Sequence, residues 1–233
     1  MRSTHTDVWY APIDASSGKL GNWTATTSLP AGRQTPNDGL VYNSYLYVVG
    51  GYCGCGCYAN DVWSAALQTD GTIAAWHSNA PLPTVIRAGA GGGAGGAVAV
   101  DGFMYFLPSD ARGNGFPSTL VSAAINPMDG TISAWNSVTA ALTPGRGAYS
   151  ALAYNHNLYV FGGTDSAGNE VPRVDTAVSM SGQTSDWSTW NQLLTGRQFG
   201  GAATINGYLY YLGGMTSQPS QHTITDVVRI PVP

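Results

Sequence analysis

The chain has 233 residues, of which 9% are charged, with Gly contributing 31 and a formal net charge of −4. That length is enough to bury a sizeable core, and the scarcity of Lys and Glu (Lys19 and Glu170 only) leaves few residues for helix surfaces. No basic stripe exists to neutralise a phosphate backbone, and no run of 18 apolar residues occurs, so nucleic-acid binding and membrane insertion are not expected.

In chain order, the amino terminus reads as the second half of a unit. Thr6-Asp7-Val8-Trp9 reads as a third-type strand and Asn22-Trp23-Thr24 as a fourth, within a partial blade over 1–33. Three whole units follow, over 34–87, 88–146 and 147–197, and a partial one fills 198–233. Each begins after an arginine: Arg33, Arg87, Arg146 and Arg197 are 54, 59 and 51 residues apart, while Tyr47, Tyr105, Tyr159 and Tyr210 are 58, 54 and 51 apart. Two independent markers thus keep a period of about 50 residues, which is propeller-like rather than solenoid-like.

Within a unit, a small-residue strand (38–42, 95–100, 148–154, 201–205) is followed by a tight turn. The turns contain Asn43-Ser44, Asp101-Gly102, Asn155-His156 or Asn206-Gly207, residues suited to the positive φ that hairpin turns demand. A second strand follows over 45–49, 103–107, 158–161 or 208–212, apolar enough to be covered on both faces. It ends in Gly50-Gly51, Gly162-Gly163 or Gly213-Gly214, with Leu107-Pro108-Ser109 as the exception. Third strands run over 60–63, 118–121, 174–177 and 225–228, and fourth strands carry Trp76, Trp135 and Trp190. The fold class is therefore all-β, a propeller of four-stranded antiparallel blades with about four blades in this chain, alone or within a larger ring. The two partial blades are expected to close together by pairing terminal strands, since closure removes sheet edges.

Leu29-Pro30-Ala31-Gly32-Arg33, Tyr45-Leu46-Tyr47-Val48-Val49-Gly50-Gly51, Asn60-Asp61-Val62-Trp63 and Trp76 together resemble the kelch family of β-propellers, with variation over nearly the whole chain. The resemblance implies a binding scaffold more often than an enzyme. It also implies that arginines before the first strands can line a ligand pocket.

Arg33, Arg87, Arg146 and Arg197 are the candidate ligand-binding residues, as four planar donor forks suited to a carboxylate or phosphate. Their alternative role is architectural, bonding to carbonyls of the neighbouring blade. Cys53, Cys55 and Cys57 are the only cysteines. They read as a loop disulfide, with Cys53 and Cys57 as the candidate pair, or more weakly as metal ligands, since a closed zinc site needs four ligands. The glycine-rich run 88–96 has neither the helix start nor the Lys-Ser/Thr of a phosphate loop. Asp70-Gly71-Thr72 and Asp129-Gly130-Thr131 read as structural turns. No catalytic constellation is found, and Cys57-Tyr58 is an adjacent pair, the wrong relation for a cysteine–tyrosine cofactor.

The function expected is a non-enzymatic module, without cofactor, that binds a protein or an anionic or carbohydrate ligand in an extracellular or cell-surface setting. A carbohydrate-active enzyme (a sugar oxidase or sialic-acid isomerase) and a structural unit self-associating through its edge strands are the alternatives.

Overall fold

A computed structural model describes residues 4–33, 35–54, 57–83, 96–108, 116–217 and 222–231, with the backbone alone at 35–38, 54 and 57. Arg87, Cys55, the Cys57 side chain and most of the glycine-rich run lie outside the described residues.

The architecture is an all-β propeller of four antiparallel blades, and no helix occurs among the described residues. An amino-terminal hairpin, β1 (Val8–Tyr10) with β2 (Thr24–Thr26), precedes them. Blade I is β3 (Thr35–Tyr42), β4 (Tyr45–Gly54), β5 (Cys57–Ala66) and β6 (His77–Ser78), paired in that order. Blade II repeats it with β7 (Ala97–Val100), β8 (Phe103–Phe106), β9 (Val121–Ala124) and β10 (Asn136–Ser137). A short β11 (Arg146–Gly147) leads into blade III, made of β12 (Ser150–Tyr154), β13 (Asn157–Phe161), β15 (Arg173–Met180), β16 (Gln183–Thr184) and β17 (Ser188–Gln192). Its loop strand β14 (Thr164–Asp165) pairs with β11. Blade IV is β18 (Gly201–Ile205), β19 (Tyr208–Leu212) and β22 (Val227–Pro231), with β20 (Met215–Thr216) and β21 (His222–Thr223) forming a small pair of their own.

The first hairpin of each blade forms as the turn chemistry requires. Asn43 and Ser44, Asp101 and Gly102, Asn155 and His156, and Asn206 and Gly207 all adopt positive φ, which twists the connection to match its flanking strands. In blade II the third strand is three residues later than expected, Val121–Ala124 instead of 118–121. The 118–121 segment still bonds outward, where Val138 N donates to the Leu120 carbonyl at 2.9 Å and Leu142 N to that of Ser118 at 2.9 Å.

Alternation along each strand sends one side chain to each neighbouring blade, so the core is a series of inter-blade layers. Tyr47, Val49 and Val62 of blade I pack on Met104, Phe106 and Val121 of blade II. Tyr105, Leu107 and Leu120 meet Tyr149, Leu158 and Val160, and Tyr159, Phe161 and Val174 meet Leu209, Tyr211 and Ile230. The repeat tyrosines also bond across these layers: Tyr47 Oη donates to the Gly130 carbonyl at 3.0 Å, and Tyr105 Oη to that of Gln183 at 3.0 Å. Burial pushes the Tyr47 phenol up to about 12.

The termini are arranged otherwise than expected. β22 adds to β19 as the expected third strand of its own unit, but the expected pairing of the two ends does not occur among the described strands, where β1 pairs with β2 alone. The hairpin β1–β2 instead packs on blade I, where Trp76 Nε1 donates to the Thr27 carbonyl at 3.2 Å. Trp135 Nε1 reaches the Ala80 carbonyl at 2.9 Å in the same manner, so β1–β2 occupies the place of the outer half of a blade preceding blade I.

Candidate functional site

The candidate ligand-binding arginines precede the first strands, and those among the described residues have a definite geometry. Arg33, Arg146 and Arg197 are all buried. Arg33 donates to the carbonyls of Gly50 (3.3 Å) and Gly32 (3.0 Å) and to the Asp61 carboxylate. Arg146 donates to the carbonyls of Gly162 (3.1 Å) and Arg173 (3.4 Å) and to Asp175. Arg197 donates to the carbonyls of Thr195 (3.1 Å) and Gly213 (3.4 Å) and to both oxygens of Asp226. Each arginine thus ties the entry of its blade to the glycine exit of the second strand and to an aspartate at the third.

These partners all lie within the arginine's own blade, which corrects the expected bonding to a neighbouring blade. The glycine exits make this possible. Gly50, Gly51, Gly162, Gly163, Gly213 and Gly214 all have positive φ, and a Cβ on Gly163 would meet the Gly147 carbonyl and Tyr149. Arg33 also lies 4.3 Å over the Trp63 ring, so Asp61 and Trp63 of one motif hold the guanidinium from two sides. Desolvation, with Arg173 close by, pulls the Arg146 guanidinium down to about 10. Asp175 is also 3.3 Å from Arg173 and accepts from Thr189 Oγ1 at 2.7 Å.

The aspartate was the missed partner. It stands 28, 29 and 29 residues after its arginine, a constant separation visible in the sequence alone. Blade II breaks the rule. Registers Tyr47↔Ser64 and Tyr105↔Ser122 align the blades, and three residues before Ser122 stands an exposed Thr119 where blade I has Asp61.

Around blades III and IV the rim is knitted by further bonds. Gly163 N donates to the Arg197 carbonyl at 2.8 Å, Phe199 N to that of Ala148 at 2.9 Å, and Thr164 Oγ1 to Gln198 Oε1 at 2.8 Å. Burial alone would raise the Glu170 carboxyl, but hydrogen bonds from Ser217 outweigh it and hold the group below its usual value; Ser217 N lies 2.7 Å away. Ala148 and Phe199, each two residues after an arginine, have φ of 54° and 59°, a strained conformation for side-chain-bearing residues, and Phe199 is 42% exposed.

Cys53 is disulfide-bonded. No group of three His, Cys, Asp or Glu side chains arranged to hold a metal occurs among the described residues, and no described helix is long and apolar enough to cross a membrane.

No family model matches the chain, and no curated protein matches it. Among solved structures it is similar to one titled "Structure of YjhT", with a TM-score of 0.65 and 15% identity over 99% of this chain and 82% of that one. At that identity the likeness concerns the fold.

Proposed function

We propose that this chain is a non-enzymatic, kelch-type binding module whose loop face takes an anionic ligand, such as an acidic sugar or a protein carboxylate, with Arg87 as the cation. One observation carries the reading. Arg33, Arg146 and Arg197 each have an aspartate built into their own blade, whereas blade II presents Thr119 at that position. Arg87 is therefore the arginine of the set to which the repeat assigns no carboxylate, and the one proposed to serve a ligand. The Cys53 disulfide supports an extracellular or cell-surface setting, where such bonds persist.

Thermal melts with sialic acid, uronic acids and sulfate test this, because a ligand of the folded state raises Tm in proportion to ln(1 + [L]/Kd). The ligand-dependent rise is expected in the native chain, retained in Arg33→Ala and lost in Arg87→Ala. Thr119→Asp is expected to abolish the rise as well, by supplying the missing carboxylate. Unchanged ligand response in both Arg87→Ala and Thr119→Asp would overturn the assignment.

A further inference from the structure

The amino-terminal hairpin carries a second copy of the arginine receptor, one that no described arginine fills. Asp7-Val8-Trp9 repeats Asp61-Val62-Trp63, and register confirms the equivalence. Trp9 pairs with Ala25, two residues after Trp23, as Trp63 pairs with Ser78, two residues after Trp76. In blade I the motif is filled: Arg33 bonds to Asp61 and stacks on Trp63, which is 5% exposed. In the hairpin no arginine among the described residues reaches Asp7. Its side chain is 55% exposed, 3.7 Å from His5, and it accepts instead from Trp9 Nε1 at 2.8 Å, while Trp9 is 53% exposed.

The outward faces of blades I and IV are also bare. In every blade the third strand pairs with a second strand, as β5 with β4 and β22 with β19, yet among the described strands β1 has only β2. On blade I, Val41 faces away from the layer shared with blade II and is 57% exposed. On the far face of blade IV, Ile205 is 57%, Leu212 43% and Val227 59% exposed. Phe161, which holds the place of Leu212 in blade III, is 0% exposed beneath blade IV.

We infer that β1–β2 is a docking site for an arginine-bearing β-hairpin supplied by a partner polypeptide. The partner's second strand adds to the free edge of β1, and its arginine takes the Asp7 carboxylate and the Trp9 ring. Its apolar face covers Val41 of blade I. The required chemistry is that of the repeat itself: an arginine, a small-residue strand, a tight turn, and an apolar strand ending in Gly-Gly. A second copy of this chain is a poor donor, because each first-and-second-strand hairpin in it already carries its own third strand.

A synthetic peptide with the sequence of residues 197–214 has all these features and serves as the probe. Titrated into the full chain, with tryptophan emission and calorimetry as readouts, it is expected to bind, and at least tenfold more weakly to Asp7→Asn. A peptide with alanine in place of its arginine is expected to lose at least tenfold too, while Asp14→Asn, in the tip of the hairpin, changes nothing. As a second measurement, the same 18 residues joined through a flexible linker ahead of Met1 are expected to raise Tm, and to do so less when the arginine is alanine. Equal affinity of native and Asp7→Asn chains, or absence of both binding and the fusion's stabilisation, would overturn the inference. Concentration-dependent dimers abolished by Asp7→Asn would overturn it in favour of a second copy.

Discussion

Arg146 and Asp175 form an ion pair that is almost sealed from water, with side-chain exposures of 0% and 4%. The homologous pairs differ on the acidic side alone: Asp61 and Asp226 have 47% and 45% of their side chains exposed. A buried carboxylate stripped of its partner costs far more than one that water can reach.

The three arginines should therefore be unequal despite their equal positions in the repeat. Arg146→Ala is expected to cost about 3 to 5 kcal/mol, as for a broken buried pair. Arg33→Ala and Arg197→Ala are expected to cost about 1 to 3 kcal/mol, chiefly from unpaired carbonyls. Urea denaturation of the three variants gives the ranking, and equal losses would show that the aspartate's exposure is irrelevant.

Tyrosines at one repeat position should also divide by neighbour. Tyr105 Oη donates to the Gln183 carbonyl and accepts from Gly182 N at 3.2 Å, so Tyr105→Phe leaves that buried amide unpaired and should cost about 1 to 3 kcal/mol. Tyr210 holds the same place in blade IV with no described blade packed above it, and Tyr210→Phe should stay within about 0.5 kcal/mol of the native chain. A large loss at Tyr210 would reveal a contact on that face.

Acid should loosen the rim before the layers. Asp226 is held below its usual value first by the hydrogen bond from Arg197, and Glu170 is lowered by Ser217 against the effect of its burial. Both carboxyls have folded values below their unfolded ones, so their contribution to stability is whole above the unfolded range of about 4 and is lost as pH falls from there through the lower folded values. Melting temperature should fall on acidification below about pH 4, and Asp226→Asn should shrink that fall while lowering the neutral-pH value. An acid profile identical in Asp226→Asn and native chains would remove this pair from the account.

The inner strands were legible in the sequence because the turn residues and Gly-Gly exits act locally. Asn206-Gly207 and Asp101-Gly102 demand positive φ whatever surrounds them, and the structure has it at both. The third strand of blade II was misplaced because no local signal marks its start; its position follows from pairing with Phe103–Phe106. The arginines were legible as a set, but their partners lie 28 or 29 residues on, so neither neighbour nor turn rule points to them. The strain at Ala148 and Phe199 was invisible for another reason: nothing in either residue type favours positive φ, and bonding between the two blades imposes it.

The arginine tie has an evolutionary consequence. Since its donors and acceptors all belong to one stretch of about 50 residues, that stretch carries its own internal fastening wherever it is copied. Gene duplication or unequal recombination can then insert or delete a whole unit without rewriting distant codons. What the newcomer must match is the greasy flank of the units beside it and the few hydrogen bonds that join their rims. Ring size in such a lineage is free to drift, while each unit that keeps its arginine–aspartate tie keeps its own fastening.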